Sequence, residues 1–261
     1  DDEIDRDENS DLPKKIVEIE PDSTATFVPF KGTGRRTWFK GPRYAIYFGK
    51  TESQRFTKSK FELMTYQNDI RKILSDNSVK DMADQEDTKF KATLDAVITA
   101  ASGVDGTGVS GTLPLVKDQS FSVTLSATVS LADVITTGQQ ALAGKKLPLG
   151  KMLMNKSTYY EFNKMPATMV GNDVASRHYD QGVDEEQKVY GVPVITTIKN
   201  DIVPDKEVWF FAPENYLGNF YLLQDATLFI KQEADIIEFW SYAALGIGIG
   251  NSRGIIKVKF A

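Results

Sequence analysis

The first sixty-six residues are rich in charge and aromatic side chains but have no long apolar face, so closing on themselves gains them little. Residues 1–22 form an acidic arm, led by Asp1, Asp2, Glu3, Asp5, Asp7, Glu8 and Asp11 and opposed by Arg6, Lys14 and Lys15. Residues 31–60 reverse the sign. Lys31, Arg35, Arg36, Lys40, Arg43, Lys50, Arg55, Lys58 and Lys60 face a single acid, Glu52. Trp38, Phe39, Tyr44, Tyr47, Phe48 and Phe56 are interleaved with those cations. Opposite charges on consecutive extended segments suit head-to-tail contact between copies, one copy's arm meeting another's loop. A disordered tail followed by a solvated hairpin is the competing expectation.

At 261 residues the chain has room for one large domain or two small ones. A formal net charge of -5 argues against wholesale nucleic-acid binding, which needs a strong basic excess. With no cysteine, disulfides, thiol catalysis and thiolate metal sites are all removed. No apolar run approaches the ~20 residues of a membrane helix. The acidic, polar N-terminus lacks the pattern of a signal peptide.

Along the chain, Thr24–Phe30 alternates weakly and reads as a short strand, and Gly32, Gly34 and Gly41-Pro42 then mark a loop. Arg43–Phe48 reads as a strand with Tyr44, Ile46 and Phe48 on one face. With Gln54–Leu63 it suggests a long, basic, two-stranded excursion. Tyr66–Ala101 reads as a long helix with one apolar face, kinked or restarted near Asn77, lying on a sheet. Gly103–Gly111 reads as a connection. Ser120–Val129 is a strand, and Ser130 caps a helix that ends at Gly144. Lys151–Met154 is a short buried strand, Ser157–Met165 a capped helix, and Met169–Glu186 a polar loop. Strands are expected at Val189–Thr197, Glu207–Ala212, Gly218–Leu223, Ala226–Glu233, Ile236–Ala244 and Gly254–Phe260. Helices followed by strand-rich sequence point to α+β, not to a doubly wound sheet.

Motifs for chemistry are sparse. Gly106-Thr107-Gly108-Val109-Ser110-Gly111 matches a dinucleotide fingerprint, but a helix precedes it and a strand follows, the reverse of what pyrophosphate binding needs. Asp5-x-Asp7-x-Asn9-Ser10-Asp11 begins like a calcium loop, yet Ser10 replaces the turn glycine and Ile16 the bidentate glutamate. His178, the one histidine, sits in a polar loop without a nucleophile motif. Lys31–Arg36 lacks the ending of a P-loop and better suits carboxylates on a neighbouring molecule. No enzyme activity, cofactor or metal is expected.

The order of these parts resembles the major capsid protein of tailed bacteriophages, a fold shared with encapsulins and herpesvirus capsid floors. Three stretches carry the local similarity. Lys188–Thr197 resembles that family's apolar-Gly-x-Pro-Val stretch. Asn215–Phe220 resembles its Gly-Asp-Phe segment leading into a long hairpin, with Asn219 in place of the usual Asp. Ala244–Phe260 resembles its closing strand, loop and strand.

The resemblance implies an N-terminal arm (1–30), an extended β-hairpin loop (31–66), a peripheral domain (67–129) with a spine helix (67–101), and an axial domain (130–222). A peripheral β-hairpin (223–244) and an axial closing strand (245–261) complete it. It implies pentamers and hexamers closing an icosahedral shell around double-stranded DNA, held without sequence-specific contacts. Portal, scaffold and decoration proteins would be partners, and the virion, assembled in the host cytoplasm, the location. An encapsulin-like compartment around cargo enzymes is the alternative. Some members of that family cross-link a loop lysine to a neighbour's asparagine. Lys50, Lys58 and Lys60 are available, but nothing identifies an asparagine or an acid, and no cross-link is expected. The residues expected at contacts between copies are Arg35, Arg36, Trp38, Phe39, Arg43 and Arg55 in the loop and Asp5, Asp7, Glu8 and Asp11 in the arm.

Overall fold

A computed structural model describes residues 5–6, 13–18, 25–34, 36, 38, 43–65, 70–102, 106–108, 121–125, 130–163, 188–189, 191–251 and 253–260. The chain divides into two compact units, Asp1–Gln85 with Asn219–Gly250, and Glu86–Gly218 with Asn251–Ala261. The boundary falls inside one long helix.

In the first unit, β1 (Asp5–Arg6), β2 (Pro13–Glu18) and β3 (Arg43–Tyr47) form an antiparallel sheet in that order, with Lys14 opposite Tyr47 and Glu18 opposite Arg43. The acidic arm thus meets the basic loop within one copy. The two strands of the expected excursion do not pair with each other. β4 (Gly49–Glu52) and β5 (Phe56–Ser59) both pair with β13 (Ile236–Ile249), which also neighbours β12 (Gly218–Glu233). Gln54–Leu63 is only partly strand, because residues from Lys60 onward form the short helix α1 (Lys60–Thr65).

Between Glu52 and Phe56 the chain advances four positions while β13 advances three, from Tyr242 to Phe239. This is a one-residue bulge. Ser53 holds it shut, its N–H donating to the Ser241 carbonyl and its Oγ accepting from the Ser241 N–H, each at 2.8 Å. Along β13 the alternation buries Phe239, Ser241, Ala243 and Leu245 on one face, while Ile46 and Phe48 are buried on the other, beside Gly246. Gly246 sits beneath that pair, and a Cβ there would come within 2.9 Å of Ile46.

The helix α2 (Ile70–Ser102) runs unbroken through Asn77, where a kink or restart was expected. The expected strand at Thr24–Phe30 is not formed, and residues 25–34 have no regular structure and are all exposed. The polar loop Met169–Glu186, with His178, lies outside the described residues.

The second unit is built on a seven-stranded mixed sheet, ordered β6 (Gly106–Gly108), β7 (Phe121–Leu125), β14 (Ile255–Lys259), β11 (Glu207–Phe211), β8 (Lys151–Asn155), β10 (Val192–Thr197) and β9 (Lys188–Val189). Gly106–Gly108, expected as part of a connection, is a strand pairing parallel to β7. The expected strand Val189–Thr197 is folded back as the β9–β10 hairpin, with Gly191 at φ 77, a left-handed value that glycine adopts without strain.

α3 (Leu131–Gly144) starts at a capping box. Ser130 accepts from the Asp133 N–H, and the Asp133 carboxylate accepts from the Ser130 N–H. α4 (Lys156–Asn163) starts at Asn155 rather than at Ser157, because the Asn155 amide oxygen accepts from the Ser157 N–H at 3.0 Å. These two helices cover one face of the sheet, where Val134, Ile135, Leu142 and Tyr159 pack with Met152, Met154, Val208, Phe210, Ile256 and Val258.

Gly138 is the closest approach of α3 to that face. A Cβ there would lie 2.6 Å from the Phe210 ring, whereas one at Gly144 meets nothing within 4 Å. Gly138→Ala is expected to cost about 1–3 kcal/mol in urea unfolding through overpacking. Gly144→Ala is expected to stay within about 0.5 kcal/mol of the parent.

Candidate assembly surface

Of the residues expected at contacts between copies, Arg35, Phe39, Asp7, Glu8 and Asp11 lie outside the described residues. Asp5 and Arg43 are placed by backbone alone, in β1 and β3. Arg36 and Trp38 are exposed, with Trp38 at 95%.

Arg55 is exposed too but already has partners in its own copy. Its Nε and terminal nitrogen donate to Glu52 at 3.0 and 2.8 Å, and its guanidinium lies 5.1 Å from the Trp240 ring. Lys50 completes the same arrangement from the other side, 3.0 Å from Glu52 and 4.4 Å from the Tyr242 ring. Phe229 stacks between Tyr242 and Trp240. The hydrogen bond from Lys50 and then that from Arg55 hold the Glu52 carboxyl below its usual range. Both cations therefore share one carboxylate of their own copy and lie over aromatic rings.

The apolar surface is the more telling feature. Among the described residues, exposed large apolar side chains cluster in the first unit: Phe27 and Phe30 at the end of the arm, Trp38 in the loop, Phe61 and Met64 on α1, and Phe220, Leu222 and Ile230 on β12. The second unit exposes Tyr160, Ile195, Ile198 and Tyr216. Their concentration makes the first unit the candidate contact surface.

The second unit contains an electrostatic centre that sequence reading missed. Glu207, with 5% of its side chain exposed, accepts from the Trp209 indole N–H at 2.7 Å. The same carboxylate oxygen lies 3.3 Å from Lys257 and 3.8 Å from Lys91 of α2. Asp95, one turn beyond Lys91, bridges both ammoniums at 2.6 Å and 3.2 Å. The two ammoniums also lie 4.9 and 4.7 Å from the Trp209 ring centre.

Two positive and two negative charges thus close a neutral network, which pins residues 91–95 of α2 to the sheet face opposite α3. The i, i+4 spacing of Lys91 and Asp95 was visible in sequence, but the two strands that complete the network are fifty positions apart. Burial raises the Asp95 pKa, but the Lys91 hydrogen bond and the charges of Lys257 and Lys91 outweigh it, so the group sits below its ordinary value.

No family model matches the chain, and no curated protein sequence matches it. Solved structures do. A capsid of the cyanophage P-SCSP1u is similar over 95% of this chain and 83% of that one, with TM-score 0.66 and 14% identity. The capsid of an empty GTA particle is similar over 95% and 85%, with TM-score 0.63 and 16% identity. A virus-like particle from Pyrococcus furiosus is similar over 94% and 86%, with TM-score 0.53 and 16% identity. At these identities the likeness is one of fold.

Glu207→Gln leaves two largely buried ammoniums sharing one carboxylate, and is expected to cost roughly 3 kcal/mol in equilibrium unfolding. Asp95→Asn tests the sign of the linkage. A carboxyl with a depressed folded pKa contributes stability above its unfolded pKa and loses it as pH falls through the folded value. The variant should be less stable than the parent at pH 7, and the two unfolding curves should converge on acidification.

Proposed function

We propose that this chain, which has the fold of tailed-phage capsid proteins, is the repeating subunit of a closed capsid shell. The observation that carries the reading is that this likeness runs through nearly the whole chain, 95% of it against the cyanophage capsid. The concentration of exposed apolar side chains in one unit supports it, since a shell subunit must keep surface for its neighbours.

The finer reading is of pentamers and hexamers closing an icosahedral shell around double-stranded DNA, in a virion assembled in the host cytoplasm. The acidic balance suits a container that must later release its DNA. Portal, scaffold and decoration proteins would be its partners. The subunit would act structurally, not as an enzyme. Residues 1–30 would serve as arm and 31–66 as extended loop; 67–129 and 223–244 would form the peripheral part, and 130–222 and 245–261 the axial part. The likeness to the Pyrococcus virus-like particle keeps an encapsulin-like compartment as the second reading.

Light scattering and negative-stain microscopy of the purified protein test the shell, which predicts closed particles of megadalton mass. Nuclease-protected DNA inside particles from infected or producing cells favours the capsid; enclosed protein cargo without DNA favours the compartment. A stable monomer of 29.1 kDa would refute both.

Contact between copies is assigned to Arg35, Arg36, Trp38, Phe39, Arg43 and Arg55 of the loop and Asp5, Asp7, Glu8 and Asp11 of the arm. Replacing Arg35, Arg36, Arg43 and Arg55 together by Glu is expected to preserve the circular-dichroism spectrum, because exposed pairs such as Arg55–Glu52 contribute only about 0–1 kcal/mol. The same variant is expected to form no shells. Normal particles from it would remove the loop arginines from the interface.

A further inference from the structure

Residues 24–30, Thr-Ala-Thr-Phe-Val-Pro-Phe, have the composition of a strand, yet residues 25–30 pair with nothing in the ladders of their own copy and are all exposed. The same copy carries a strand with an open side. β12 is sixteen residues long and stands at the end of the order β12-β13-β4, with only β13 beside it among the described residues. A long open edge with apolar side chains is a template for another strand. Phe220, Leu222 and Ile230, which share one face of β12, are exposed along it. Among the described residues, a strand without an edge and an edge without a strand are thus present in one chain, and a second copy satisfies both.

We infer that residues 25–30 of a second copy add as a strand along the open edge of β12. The proposal rests on the shell reading and gives one of its contacts a backbone geometry, in the manner of strand addition.

Pro29 fixes which way the added strand faces. Successive residues of a strand point their N–H and C=O to opposite sides, and proline has no N–H. Pro29 must therefore face away from β12, so that Thr26, Val28 and Phe30 direct their backbone groups toward it. The Pro29 carbonyl is already turned to its own chain, accepting from the Gly32 N–H at 2.7 Å, which ends the strand at Phe30. With Pro29 on the new outer edge, addition stops after one strand, and the sheet does not propagate into a fibre. Val28 and Phe30 fall on one face of the added strand and supply apolar partners for Phe220, Leu222 and Ile230.

The parity gives the test. Ala25 shares the outward side with Pro29, whereas Thr26 faces β12, and both side chains are small. In the full-length protein, Thr26→Pro is expected to reduce particle yield at least tenfold and Ala25→Pro to leave it within about twofold. Both should keep the parent's circular-dichroism spectrum. Equal behaviour of the two variants overturns the strand pairing, and leaves the shell reading standing if the parent forms particles.

A second measurement reads the contact directly, because the chain has no cysteine of its own. Val28→Cys protein is mixed with differently tagged protein carrying Leu222→Cys, Ala226→Cys or Ile230→Cys, then assembled and oxidised. A disulfide joining the two tags at one or more β12 positions supports pairing between copies. Its absence at all three overturns the proposal, whether the protein forms particles, smaller oligomers or monomers. Linkage seen only when Val28→Cys and a β12 cysteine share one chain assigns the strand to its own copy, and also overturns it.

Discussion

Glu207 is a carboxylate with almost no water around it, at the centre of a sheet whose two middle strands, β11 and β14, are buried on both faces. An unpaired charge in that position is not tolerated, and the second unit is arranged around its neutralisation. Lys257 reaches it from the neighbouring strand, Trp209 donates from two residues away, and Lys91 comes from α2 with Asp95 balancing the second ammonium. The other face is apolar, filled by α3 and α4, and Gly138 sets how closely α3 approaches Phe210. One face of the sheet is thus positioned by directional, charge-matched contacts and the other by packing.

The first unit follows a different logic. Its core is thin, built on β13 with Ile46 and Phe48, and among the described residues β12 has only β13 beside it. Cations lie over Tyr242 and Trp240, which fixes one face, while Phe27, Phe30, Trp38, Phe61 and Met64 remain in solvent.

Much of the local structure was legible because its signals are local. The Ser130 capping box, the Gly144 end of α3 and the alternation over Phe121–Leu125 depend on residues a few positions apart. Misreadings came where a remote partner decides. Gly106–Gly108 is a strand only because β7 lies beside it, and Arg43–Tyr47 pairs with β2 of the arm rather than with Gln54–Leu63. The stretch Ser75–Ser78 has capping chemistry but stays helical, with Ser78 buried within α2. Arg55 turned out to be engaged with Glu52 and Trp240, and the exposed apolar residues of β12 were read only as strand.

The sequence by itself determined most of the element types, the α+β balance, the opposed charges of arm and loop, and an order of parts similar to phage capsid proteins. These follow from periodicity, caps and turn residues, whose physics acts over a single turn or hairpin. Only the tertiary structure decided which charges neutralise one another and which edge stays open. Lys91, Glu207 and Lys257 meet through a helix and two strands distant in sequence, and that β12 has only β13 beside it among the described residues follows from where the other strands pair.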